Sequence, residues 1–274
     1  MTVTRLTTHR VEKPWGRTRL WPGFDDPAEG GAPIGEVWFQ GADDDQAELL
    51  IKYLFTSEKL SIQVHPDDAQ ARARGFARGK DEAWVILDAE PGATIALGTH
   101  RPLSGEELRA ASLDGSIEQL MDWKPVAAGD TIYSPAGTVH AIGPGLTVIE
   151  VQQKLDLTYR LYDYGSEREL QLDDGVAVSD ARPFVIKDRS EIAGDGRTIL
   201  FEGPKFVLER WNDEPRSVVL REGLTGWFVP IEGQGILGEE RWSAGECYTV
   251  TGEASLSFDR GSSAVFAYPG DTRI

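Results

Sequence analysis

The segment Gly129-Asp-Thr-Ile-Tyr-Ser-Pro135-Ala-Gly137-Thr-Val-His140 decides how this chain is read. Thr131–Ser134 has the alternation of a strand, Pro135 and Gly137 make a tight turn, and the chain leaves that turn extended with His140 on it. The spacing is G-x5-P-x-G-x2-H. The uncharged run from Thr131 to Ile149 is long enough to raise the question of a membrane span. Pro135, Gly137, Gly143, Pro144 and Gly145 would interrupt a spanning helix, so the run is strand, turn, strand.

The same rhythm continues on both sides. Ala83–Asp88, Thr94–Leu97, Leu146–Val151 and Phe184–Lys187 are short apolar or alternating runs between Gly, Pro, Asn and Asp. Phe206–Trp211, Ser217–Leu220, Gly226–Ile231, Cys247–Val250, Ala254–Phe258 and Ala264–Tyr268 repeat it. Short strands at near-regular spacing predict a sandwich or jelly-roll barrel. Helical signals are fewer. Ser104-Gly-Glu-Glu107 fits a capping box opening one or two short helices toward Met121, and a second helix is expected from Asp67-Asp68 to about Arg78. The expected fold is mainly β, with a small helical insertion in the first half. A weak boundary at Asp173–Arg182 separates residues 1–172, which hold all four histidines, from residues 183–274.

Composition limits the chemistry. Among 274 residues, 28 Lys and Arg face 45 Asp and Glu, a formal net charge of −17, which argues against nucleic acid or an anionic membrane surface as a partner. Residues 1–15 show no apolar signal segment, and the expected compartment is the cytoplasm. The single cysteine, Cys247, excludes an internal disulfide framework and a multi-Cys zinc finger, and it is expected to be a packed core thiol. With histidines only at 9, 65, 100 and 140, any metal must borrow oxygen ligands. His9 and His100 have no motif around them and are expected at the surface.

Two further segments carry candidate ligands. In Leu60-Ser-Ile-Gln63-Val-His65-Pro, Gln63 and His65 are two apart and share a strand face, where an amide oxygen and an imidazole can hold one metal. Taken alone, they are equally a strand hydrogen bond and a polar residue beside a Pro turn. In Lys80-Asp-Glu82-Ala-Trp84, Glu82 opens an apolar strand and shares a face with Lys80; the pair reads as a strand-edge ion pair or as an inward carboxylate needing a cation.

The segment ending at His140 resembles the second metal-binding motif of the cupin superfamily, and Gln63-x-His65 followed by Glu82 resembles the first. Gln stands in place of the first His, a helix-like insertion lengthens the gap to Glu82, and no Asn follows His140. Those departures are shared by the type I mannose-6-phosphate isomerases (phosphomannose isomerases) in their short bacterial form. The chain resembles that family through Lys13-Pro-Trp-Gly16, Gly35-Glu-Val-Trp38, Gln63-Val-His-Pro66, Lys80-Asp-Glu82, Gly137-Thr-Val-His-Ala141, Glu150-Val-Gln152 and Thr158-Tyr-Arg160-Leu-Tyr-Asp163.

The resemblance covers about the first 165 residues, in order. It implies two cupin-like jelly-roll barrels, the second metal-free, and one zinc ion held by Gln63, His65, Glu82 and His140. Such an N/O donor set also suits other first-row divalent ions. The implied reaction interconverts mannose 6-phosphate and fructose 6-phosphate through an enediol. Arg160, ten residues after Glu150, then stabilises developing negative charge. Glu150 handles a proton or orients substrate hydroxyls, and Lys80 shuttles a proton in ring opening or binds a hydroxyl. Ser61 and Lys154 are the phosphate-end candidates. Trp15 and Trp38 are core packing or pocket lining, with Trp15 carried as a substrate contact. The alternatives are an iron-dependent cupin dioxygenase and a non-catalytic sugar-phosphate-binding cupin. The expected partner is a phosphorylated hexose, and a homo-oligomer is compatible with the reading.

Overall fold

The computed structural model describes residues 2–21, 23–42, 46–187, 190–212, 214, 216–270 and 273–274. Among these, the strands form four sheets. A six-stranded sheet runs β2 (Thr7–Arg17), β3 (Ile34–Gln40), β4 (Leu49–Thr56), β11 (Leu146–Gln153), β6 (Glu82–Ala89), β9 (Thr131–Ser134). It faces a five-stranded sheet ordered β12 (Tyr159–Tyr162), β5 (Ile62–Val64), β10 (His140–Ile142), β7 (Thr94–Thr99), β8 (Met121–Pro125). The C-terminal half adds a seven-stranded sheet, β1 (Thr2–Arg5), β20 (Tyr248–Thr251), β17 (Thr225–Glu232), β22 (Ser263–Pro269), β15 (Phe206–Asn212), β14 (Arg197–Glu202), β13 (Glu191–Gly194). Its smaller partner is β16 (Arg216–Val219), β21 (Glu253–Phe258), β18 (Gln234–Leu237), β19 (Glu240–Ser243).

Strand period two explains the layering. On β4, Ile51, Tyr53 and Phe55 join a core with Ala83 and Val85 of β6 and Ile149 and Val151 of β11. That core also holds Phe201, Phe206, Trp227, Val229 and Val265, so the six- and seven-stranded sheets stack back to back. The alternate residues Leu54, Trp84, Ile86 and Val148 point the other way, to Ile95, Leu97 and Ile142 of the five-stranded sheet. Both faces of the six-stranded sheet are therefore covered, and all eight residues of β4 and of β11 are buried. A third core closes the C-terminal sandwich through Trp211, Phe228, Trp242 and Leu256. The molecule is mainly β, as the strand rhythm predicts.

Helices α1 (Asp68–Arg72), α2 (Gly105–Asp114), α3 (Ile117–Leu120) and α4 (Leu172–Val178) complete the first half. Leu108, Ala111, Ile117 and Val178 pack on the outer face of the five-stranded sheet through Ile62, Val64 and Ala141. Both halves of the predicted capping box at Ser104 and Glu107 are present, and Gly115, at φ 81°, ends α2.

Three segments differ from expectation. The helix expected from Asp67 to Arg78 ends at Arg72, because Gly75 turns left-handed at φ 87° and Phe76 N–H closes the end on the Ala71 carbonyl. The boundary segment Asp173–Arg182 opens inside α4, where two carboxylates in the first turn suit the helix N-terminus. Phe184–Lys187 forms no strand; Phe184 and Ile186 cover the edge of the inner core instead, and neighbouring Pro183 bridges Gly98.

Candidate metal site and active-site pocket

Sheet register assembles the site. His140 on β10 pairs across the ladder with Gln63 on β5, which also pairs with Arg160 on β12. All three are even steps from inward-facing neighbours, and His65 follows just past the end of β5. From the opposite sheet Glu82 enters between the imidazoles: His65 Nε2 lies 3.3 Å from its Oε1 and His140 Nε2 3.5 Å from its Oε2. Ligand atoms of His65, Glu82 and His140 lie within 4.8 Å of one another, and all three residues are buried. Gln63 Nε2 is 3.2 Å from His140 Nε2, while Ser61 Oγ donates to Gln63 Oε1 at 3.2 Å. A half-turn of that amide exchanges its two ends and presents the oxygen instead.

The imidazoles are held as metal ligands require. His65 Nδ1 is 2.9 Å from the Leu157 carbonyl and His140 Nδ1 2.9 Å from the Thr138 carbonyl. A carbonyl only accepts, so both rings carry the proton on Nδ1 and turn an Nε2 lone pair inward, where Lys80 Nζ lies 3.4 Å from His65 and the Gln63 amide 3.2 Å from His140. Burial, reinforced by the Lys80 ammonium, pushes His65 down to about 3; burial also lowers His140 against the pull of Glu82. Both rings are neutral at pH 7.

Glu82 stays ionised because the Lys80 ammonium, 2.9 Å away, outweighs the upward push of burial. Both carboxylate oxygens of Glu82 are buried, and among the described residues Lys80 Nζ, 2.9 Å from Oε1, is the cation that pairs with them. A buried carboxylate is costly to desolvate. Two neutral imidazole lone pairs around it fit a divalent cation.

Beside this cluster opens a cavity of about 450 Å³. Trp15, Ser61, Gln63, Lys80, Glu150 and Arg160, all read as site candidates from the sequence, line it. Trp15 is also part of the inner core, so it packs and lines the pocket at once. Lys154 is not among the lining residues; its backbone N–H bonds the Glu48 carbonyl. His100 is exposed as expected, whereas His9, also exposed, borders the cavity. Cys247 is a buried core thiol whose pKa is raised by burial.

Lys52 Nζ lies 3.3 Å from Glu150 Oε1, and Trp84 Nε1–H donates to Glu150 Oε2 at 3.2 Å. Burial, with the nearby Glu82 charge, raises the Glu150 pKa. Asp163 is occupied by Arg168, at 2.6 Å through both guanidinium nitrogens, and among the described residues Arg160 Nε is buried without a hydrogen-bond partner at the cavity wall.

Sequence reasoning passed over several lining residues, among them Lys13, Glu36, Lys52, Asp156 and Arg168. Charge alternates along one wall: Lys13 to Glu36 is 3.6 Å, Glu36 to Lys52 3.8 Å, and Lys52 to Glu150 3.3 Å. One signal was available: Glu36 and Trp38, and Lys52 and Leu54, keep the inward parity of their strands. Lys52 also sits 4.4 Å over the Trp38 ring.

A double β-sandwich with a metal-competent His/Glu/His cluster at one end of a cation-lined cavity defines the class: a small-molecule site with anion-handling groups. The chain is 35% identical over 249 residues to the mannose-6-phosphate isomerase of Streptococcus mutans, covering 75% of this chain and 77% of that one. It is 31% identical over 254 residues to the mannose-6-phosphate isomerase ManA of Bacillus subtilis, covering 87% and 76%. It therefore belongs to the mannose-6-phosphate isomerase family. The crystal structure of the Bacillus subtilis mannose 6-phosphate isomerase superposes with TM-score 0.83 at 26% identity, over 97% of this chain and 99% of that chain. A zinc-bound mannose 6-phosphate isomerase shares the fold at TM-score 0.73 and 14% identity, over 98% and 100%. No protein-family model matches the chain. Among the described residues no helix is long and apolar enough to cross a membrane.

Proposed function

We propose that this chain is a metal-dependent aldose–ketose isomerase interconverting mannose 6-phosphate and fructose 6-phosphate through an enediol. One observation carries the reading: the buried Glu82 carboxylate faces the Nε2 atoms of two buried imidazoles, His65 at 3.3 Å and His140 at 3.5 Å, beside a cavity lined by Gln63, Lys80, Glu150 and Arg160. Family membership favours this reading over an iron-dependent dioxygenase or a non-catalytic sugar-phosphate binder.

In this reading Gln63, His65, Glu82 and His140 hold one zinc ion, as zinc is bound in the mannose 6-phosphate isomerase sharing the fold. Bound there, the ion supplies Lewis-acid stabilisation of charge on substrate oxygens. The chain's own groups do the rest. Arg160, with Asp163 held by Arg168, stabilises the enediolate oxygens electrostatically. Glu150, braced by Trp84 and Lys52, takes and returns the proton moved between C2 and C1 or orients the hydroxyls beside it. Lys80 serves ring opening as a proton shuttle or binds a substrate hydroxyl. Ser61 and Trp15 line the substrate cavity, with Ser61 assigned to the phosphate end; Lys154, a candidate from the sequence, lies outside that lining. Residues 1–172 form the catalytic unit and residues 183–274 a metal-free cupin-like partner, with the enzyme at work in the cytoplasm.

The test is a coupled assay of fructose 6-phosphate formation from mannose 6-phosphate, with and without chelator. Turnover that chelation abolishes and Zn²⁺ restores supports the reading. No turnover in a zinc-replete preparation sinks it. His140→Ala is expected to abolish metal binding, whereas Glu150→Gln keeps the metal and stops turnover.

A further inference from the structure

The segments that deliver the ligand cluster are braced by a residue from the other half of the molecule. Lys205, in the turn between β14 and β15, places Nζ 2.7 Å from Asp68 Oδ2. The second oxygen of Asp68 accepts Gly79 N–H at 2.8 Å and Gln153 Nε2–H at 3.1 Å. Gln153 Oε1 in turn accepts Asp81 N–H at 3.1 Å, and Gln153 N–H donates to the Asp81 carbonyl at 3.0 Å. Lys80 N–H closes onto the Pro66 carbonyl at 3.0 Å. One carboxylate thus ties the chain leaving His65 to the chain entering Lys80 and Glu82.

The contact between these segments is tight enough to transmit a displacement. A Cβ on Gly79 would fall 2.4 Å from the Asp67 carbonyl carbon, so the two backbones touch with nothing between them. A second brace comes from the same C-terminal region: Phe201 on β14 stacks on Tyr133 at 3.8 Å, and the Tyr133 hydroxyl donates to Asp81. Asp81 immediately precedes Glu82.

We propose that Lys205 is a positioning residue for the metal site, acting through Asp68 and Gln153 to set the separation of His65 from Lys80 and Glu82. The C-terminal half, which supplies none of the four ligands assigned above, is on this account part of the active site. The inference rests on the assignment of those ligands. Groups hydrogen-bonded directly to metal ligands change affinity by about 10–100-fold when removed; Lys205 acts several links out, through Asp68, Gly79 and Gln153, so its effect is about 10-fold at most.

The experiment compares the wild type with Lys205→Met, Lys205→Arg, Asp68→Asn and the Lys205→Met/Asp68→Asn double variant. Zn²⁺ affinity is measured by competition with a chromophoric chelator, alongside kcat, KM and thermal midpoint. Lys205→Met is expected to weaken Zn²⁺ binding by up to about 10-fold and to lower kcat more than KM. Its thermal midpoint should change little, because a partly exposed ion pair contributes little stability. Lys205→Arg restores both, and the double variant binds Zn²⁺ no more weakly than Asp68→Asn alone, since Lys205 acts through Asp68. Wild-type affinity and kcat in Lys205→Met overturn the inference and leave the ligand assignment standing. A wild type that binds no Zn²⁺ overturns the assignment itself. If Lys205→Met fails to fold, the Asp68→Asn and Lys205→Arg affinities decide, and wild-type Zn²⁺ binding by Asp68→Asn overturns the proposal.

Discussion

Lys80 and Glu82 form an ion pair at 2.9 Å with both side chains almost wholly buried, 4% and 1% exposed. Removing one member of such a pair leaves an uncompensated buried charge and costs about 3–5 kcal/mol, whereas replacing both by neutral groups of similar size is close to neutral. Only one of the two leftover charges keeps an ionised neighbour. After Glu82→Gln, the Lys80 ammonium still feels the Glu150 carboxylate. After Lys80→Met, the Glu82 carboxylate keeps two imidazoles at 3.3 and 3.5 Å, but both are neutral. Each single substitution in the metal-free protein should therefore cost about 3 kcal/mol or more, with Glu82→Gln at the low end of the range. The double variant leaves no unpaired charge and should cost far less than the singles' sum of about 6 kcal/mol. The measurement is unfolding in urea with chelator present, followed by tryptophan fluorescence, with thermal midpoints expected to fall by about 6–12 °C in each single variant. Adding Zn²⁺ should stabilise the wild type and leave Glu82→Gln unmoved, because a ligand stabilises only a state that binds it. A double variant as unstable as the sum of the singles would refute the reasoning, since it would mean that neither charge depends on the other.

Three further outcomes test other parts of the molecule. Gly79→Ala should destabilise by about 2 kcal/mol or more and weaken Zn²⁺ binding, because its Cβ would sit 2.4 Å from the Asp67 carbonyl carbon; equal affinity in chelator competition would exclude that contact as a determinant of the site. Ser104→Ala removes one side of the α2 capping box and should lower stability by about 1 kcal/mol with kcat unchanged, read from paired melting and activity curves. Asp68 is held at about 2: burial pushes it up, but the Lys205 ammonium, Gly79 N–H and the Gln153 amide together pull it down, with Arg72 at 4.0 Å adding a weaker attraction. A depressed carboxylate stabilises above its ordinary value of 3.8 and loses that contribution as pH falls through about 2. The stability difference between wild type and Asp68→Asn should thus be full at pH 5, about 1 kcal/mol after solvent screening, and shrink between pH 4 and pH 2 in urea titrations; a pH-independent difference would contradict it.

Much of the site was legible because its residues obey local rules. The G-x5-P-x-G-x2-H spacing puts His140 just past a turn, and β10 begins at His140. The two-residue offset of Gln63 and His65 is a strand-face argument, and both reach the cluster. Lys80 and Glu82 form the ion pair that their shared face suggested, while the same carboxylate also faces the imidazoles. The bland reading and the functional one described the same atoms. The helix after Asp67 was overextended because Gly75, a left-handed stop, is only one weak signal within an Ala/Arg-rich run. Phe184–Lys187 looked like a strand because its apolar residues were real; they bury against the inner core without finding a ladder.

By itself, then, the sequence determined the strand period, the turns and the metal-ligand candidates, since each depends on residues close together along the chain. Only tertiary structure decided which charges meet. Glu150 pairs with Lys52 because β11 registers against β4 with those two residues opposite each other across nearly a hundred residues of chain. Asp163 is held by Arg168, and among the described residues Arg160 Nε has no hydrogen-bond partner. Lys205 reaches Asp68 because two large sheets stack back to back, bringing a turn of the second half against the segment that follows His65. Ion pairs depend on distance in space, and sheet register together with sheet stacking sets those distances.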